Sequence, residues 1–107
     1  MGERQGEASA LTMPVYFLPT AEAELLAAQA WYDERADGLG DRFFDAVNGA
    51  VARIDGNPRQ FPLVRAPLRR ALVPRFPYAL FFRIEDDDAY VVACAHTSRV
   101  PFYWMHG

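Results

Sequence analysis

Two stretches of apolar residues at helical spacing stand on either side of a glycine-bearing joint, and this pattern constrains the chain more than any other feature. In the first stretch, Ala21, Leu25, Ala28 and Tyr32 repeat on one face, with Trp31 beside them. In the second, Phe43, Val47, Val51 and Ile54 recur, with Phe44 and Ala50 flanking. Apolar residues at such intervals make one buried stripe on a helix. Pro19 suits a first turn, where its missing N–H has no partner to lose, or Thr20 can cap it; Glu22 and Glu24 lie near the positive end of the dipole. Asp37-Gly38 ends the first helix, and Gly38-Leu39-Gly40 makes a tight connector. Asp41 is the expected N-cap of the second helix, and Gly56-Asn57-Pro58 stops it. So short a joint predicts an antiparallel helical hairpin. Trp31, Tyr32, Phe43 and Phe44 are all expected in the core.

The flanks read differently. Residues 13–18 form a short apolar run ended by Pro19, which suits a strand. From Pro58 to Pro67 the chain is proline-rich and reads as irregular. Three strands are then expected at 68–73, 78–85 and 89–95, the last two joined by the polar turn Glu85-Asp86-Asp87-Asp88. Residues 79–84 and 90–95 are almost continuously apolar, so both faces of that hairpin are expected to be covered, one of them by the helices. The order is β-α-α-β-β-β. It predicts an α+β fold with an N-terminal strand and a helical hairpin packed on a small antiparallel sheet. Residues 1–12 lack periodicity and read as a flexible tail, and 13–107 as a single domain, with Met13 a possible true start.

Composition narrows the class. A chain of 107 residues with 51% hydrophobic and 23% charged residues can bury one core. The single cysteine, Cys94, excludes an internal disulfide and favours a reducing, cytoplasmic setting. No apolar run approaches the roughly 18 residues of a membrane span. No phosphate-binding loop, dinucleotide fingerprint, nucleophile elbow or metal-ligand cluster is present, so no cofactor and no metal are expected. The net charge of −3 conceals an asymmetry. Residues 56–84 carry six arginines (59, 65, 69, 70, 75 and 83) and no acid, inside an otherwise acidic chain. Such an island attracts an acidic partner segment or nucleic acid.

Several segments together resemble the RelE/ParE superfamily of bacterial toxins, the ParE branch in particular. They are Ala28-Gln29-Ala30-Trp31-Tyr32, Gly38-Leu39-Gly40-Asp41-Arg42-Phe43, Asn57-Pro58 with Phe61-Pro62, the arginine strand from Leu68 to Tyr78, and His96 to Arg99 followed by Pro101 and Trp104. The resemblance covers roughly residues 13–104. It implies the toxin of a type II toxin–antitoxin pair, neutralised by the C-terminal segment of a cognate antitoxin. In the ParE branch the implied target is DNA gyrase, inhibited by binding. In the RelE branch it is messenger RNA, cleaved in the ribosome without a metal.

Metal-free RNA cleavage needs a base, an acid and cations around the phosphorane. The chain contains no lysine, and arginine, with a pKa above about 12, transfers protons poorly. His96 and Tyr103 are the candidate proton carriers. Arg69, Arg70, Arg75 and Arg99 are the candidate target- or antitoxin-binding residues. Arg69 and Arg70 should face opposite sides of a regular strand, but a one-residue slip exchanges them. Arg83 is expected to answer an acid across the sheet, Cys94 to be buried packing, and Asp86-Asp87-Asp88 to be a solvated turn. The thin proton-transfer set favours a gyrase-binding toxin. The alternatives are a ribosome-dependent endoribonuclease and an inactive remnant that only binds its antitoxin.

Overall fold

A computed structural model describes residues 14–98. Helix α1 spans Pro19–Arg35 and helix α2 spans Leu39–Gly56. Pro19 occupies the first turn of α1, and Leu18 rather than Thr20 stands at its N-cap. The buried stripe of α1 is Ala21, Leu25, Ala28 and Tyr32, as the spacing predicts. Trp31 and Phe44 are corrections: each is exposed (47% and 37%). Each lies one residue from a buried ring, and one residue turns about 100° around a helix. The Arg35 guanidinium sits 3.8 Å over the Trp31 ring and keeps it on the surface.

Helix α2 starts three residues earlier than expected. Gly38 takes the N-cap position with φ +83°, a conformation that costs glycine little. Having no side chain, it cannot cap, and Asp41 lies inside the first turn. The capping acceptor comes instead from α1: Asp33 Oδ1 accepts the Gly40 N–H at 2.9 Å. The two helices nearly touch here. A Cβ on Gly40 would lie 2.5 Å from the Gln29 carbonyl oxygen.

The sheet has five strands: β1 (Val15–Phe17), β2 (Leu63–Arg65), β3 (Leu68–Leu72), β4 (Tyr78–Glu85) and β5 (Asp88–His96), in spatial order β1-β5-β4-β3-β2. β2 to β5 pair antiparallel, whereas β1 joins β5 in parallel, so the sheet is mixed. The segment expected to be irregular contains a 3-10 turn, Pro58–Gln60, and the short edge strand β2.

Both helices pack on one face of the sheet. The largest fully buried side chains are Phe43, Phe82, Ile54, Leu80, Val47 and Val91. Each is worth about 1.5–3 kcal/mol of burial. A second small cluster, Ala79, Phe81 and Ala93, is buried on its own, as expected for a hairpin covered on both faces. It alternates along β4 with Leu80 and Phe82 of the main core and so belongs to the sheet's outer face.

Beyond the last residue of β1, the Cys94 N–H of β5 donates to Glu24 Oε1 of α1 at 2.8 Å. A helix carboxylate thus stands where β1 has already turned away. Among the described residues no helix is long and apolar enough to cross a membrane. The tail at 1–12, Met13, Arg99, Pro101, Tyr103, Trp104 and His106 lie outside the described residues.

Candidate functional site

The register of β3 on β4 settles which arginine faces which way. Arg69 lies opposite Phe82, and Arg70 opposite Phe81. Phe82 belongs to the helix-side core and Phe81 to the outer cluster, so Arg69 faces the helices and Arg70 faces outward. Their environments follow. Arg69 Nη1 donates to the Phe61 carbonyl at 2.7 Å and to the Arg59 carbonyl at 3.4 Å, tying the 3-10 turn to β3. That makes Arg69 a structural strap. Arg70 is exposed, and among the described residues its guanidinium has no carboxylate partner.

Arg75 sits in the β3–β4 connection with φ +69°. An arginine in that left-handed region is strained by roughly 1–2 kcal/mol. Its neighbours impose the conformation. Phe76 packs on Tyr32 and Phe43 (ring centroids 5.0 and 5.2 Å), and the Val73 N–H closes the loop on the Tyr78 carbonyl at 2.9 Å. The Arg75 side chain is left exposed at the tip.

His96 reaches the same end of the sheet. It lies opposite Tyr78 in the β4–β5 ladder, with the rings edge to face at 5.3 Å. The Thr97 N–H donates to the Pro77 carbonyl at 2.8 Å, so the end of β5 is fastened to the connection that carries Arg75. The Nδ1 of His96 accepts from the Ser98 N–H at 3.1 Å and lies 2.8 Å from the Ser98 hydroxyl.

The remaining candidates sort as follows. Arg83 pairs with Glu85 at 2.8 Å, two residues along its own strand rather than across the sheet, and lies 5.4 Å over Tyr90. Cys94 is buried; burial first, and Glu24 second, push its thiol up to about 12. Among the described residues no group of three or more His, Cys, Asp or Glu is placed to hold a metal. Arg99 and Tyr103 lie outside the described residues.

The structure therefore brings Arg75 and His96 to one end, puts Arg70 on the outer face, and removes Arg69 to the helix side. Arg65, opposite Leu68, shares the outer face with Arg70; Arg59, in the 3-10 turn, is exposed too, and neither has a carboxylate partner among the described residues. Leu72, exposed (54%) and opposite Ala79, lies on that outer face, whereas Leu63 (53%), opposite Arg69, is exposed on the helix side at the sheet's edge. Guanidinium groups that no described carboxylate meets, beside an exposed leucine, can receive a segment that alternates acidic and apolar residues. Ser98, Glu24 and Asp33 carry no local sequence signal for their roles.

No curated protein matches the chain. Among solved structures it is similar to a chain described as "Chromosomal ParDE TA system from P. aeruginosa", with a TM-score of 0.70 and 16% identity, covering 78% of this chain and 95% of that one. At that identity the likeness speaks for the fold. Residues 15–101 match the family described as "ParE toxin of type II toxin-antitoxin system, parDE". With that match spanning most of its length, and with two helices on a five-stranded sheet, the chain belongs to the ParE toxins of type II toxin–antitoxin systems.

Proposed function

We propose that this toxin arrests growth by binding DNA gyrase, and that the C-terminal segment of a cognate antitoxin neutralises it by covering the arginine surface. One observation carries the reading: Arg65 and Arg70 stand exposed on the outer face with Leu72, and Arg75 is exposed at the end of the sheet, all without a carboxylate partner among the described residues. Cations left unanswered in an otherwise acidic chain are suited to a partner's acids, and long-range attraction of that kind speeds encounter. A binding inhibitor needs such a shaped surface and no nucleophile.

The test is induction of residues 13–107 with and without the neighbouring antitoxin gene, beside an Arg70→Ala/Arg75→Ala variant. Arrest that the antitoxin relieves and the variant loses, together with inhibition of supercoiling by purified gyrase, supports the proposal. Arrest with intact supercoiling and cleaved messenger RNA replaces gyrase with the ribosome. Healthy growth with soluble protein overturns the active-toxin reading in that host, leaving a remnant or a target that the host lacks.

A further inference from the structure

We propose that Ser98 is a positioning residue that fixes His96 as a hydrogen-bond donor, presenting Nε2–H to a carboxylate of the partner segment. The partner half of this inference rests on the function proposed above; the positioning half stands on geometry alone.

A neutral imidazole carries its proton on one nitrogen and accepts at the other, and each nitrogen has a single in-plane position. The Ser98 backbone N–H can only donate, and it points at Nδ1 of His96. A proton on Nδ1 would meet that N–H head-on. The proton is therefore on Nε2, and the Ser98 hydroxyl, at 2.8 Å from the same Nδ1, adds to the arrangement without deciding it. The ring cannot easily turn, because the Tyr78 ring abuts it and the Thr97 N–H is bound to the Pro77 carbonyl.

Two chemical consequences follow. The nitrogen available to a ligand gives a hydrogen bond and does not take a proton, so His96 is not poised as a general base. No described residue accepts from Nε2, and Arg75, on the connection fastened to the end of β5, adds a second donor of the same kind. Donors that no described residue satisfies, gathered at one end of a sheet, fit a carboxylate.

The tautomer is read directly by two-bond 15N–1H correlation spectra of the 15N-histidine-labelled full chain, with His106→Gln identifying the signals. The expected result is a proton on Nε2. Ser98→Ala should leave it there, because the backbone N–H remains, whereas Ser98→Pro should release a mixture of tautomers. A wild-type spectrum showing the proton on Nδ1, or two exchanging forms, overturns the positioning role. For the ligand, antitoxin affinity is compared for His96→Gln, whose amide nitrogen reaches the Nε2 position, and His96→Asn, whose amide does not. The proposal expects the first within about threefold of wild type and the second weaker by about tenfold, the loss of one charge-assisted hydrogen bond. Equal losses overturn the carboxylate contact. Failure of the wild-type chain to bind antitoxin overturns the partner reading, and the tautomer measurement still decides the role of Ser98.

Discussion

On the helix side of the sheet, charged side chains are met by backbone groups of other elements. Asp33 caps α2, Glu24 meets β5, Arg53 donates to the Leu72 carbonyl at 2.9 Å, and Arg69 holds two carbonyls. On the outer face, Arg65 and Arg70 meet no such group among the described residues. The difference teaches how to divide one arginine-rich segment into scaffold and surface. Arg69 and Arg70 are adjacent and identical, and the pleat alone sends one inward to hold the fold and the other outward to solvent.

The strongest way to break the helix side is Gly40→Ala. The new methyl group would press on the Gln29 carbonyl and the Asp33 carboxylate, so a loss of about 2–3 kcal/mol in denaturant unfolding is expected. Next comes the arginine pair. Arg69→Ala should cost about 1–2 kcal/mol, because two carbonyls lose a charged donor. Arg70→Ala should stay within about 0.5 kcal/mol of wild type in stability, yet weaken antitoxin binding and flatten its salt dependence. Equal effects of the two on folding would erase the distinction between strap and surface. Glu24→Ala should cost about 1 kcal/mol by stranding the Cys94 N–H, and Glu24→Gln less, because its amide oxygen can still accept.

The last effect is one of pH and is nil near neutrality. The Cys94 thiol is pushed from 9.0 up to about 12 by burial and by Glu24. Between those values the unfolded chain loses the proton first, so this thiol's contribution to stability is full below 9 and declines as pH rises toward 12. Wild type should therefore lose stability over that range faster than Cys94→Ala, in unfolding curves taken at matched pH.

Much of the fold was legible because it is periodic. Ala21, Leu25, Ala28 and Tyr32, like Phe43, Val47 and Ile54, announce their helices and their buried faces. β2 was hidden because it has only three residues, hemmed by Pro62 on one side and Ala66-Pro67 on the other. Trp31 and Phe44 misled because periodicity fixes the direction of a face more sharply than its width. The caps and ties could not be read at all. Asp33 serves a helix seven residues away and Glu24 a strand seventy residues away, and neither distance leaves a pattern in sequence. For the site, the arginine island was plain, but its division between two faces needed the β3–β4 register.

The contact between Glu24 and the Cys94 N–H has a consequence for life at high concentration. A strand whose donors lie open beside a short neighbour is a template on which another copy can lay its own strand, and such growth has no natural end. Here a carboxylate side chain occupies the Cys94 donor, past the last residue that β1 pairs with, and an incoming backbone would have to displace it. The same residue that fastens a helix to the sheet thus discourages the sheet from growing beyond the molecule.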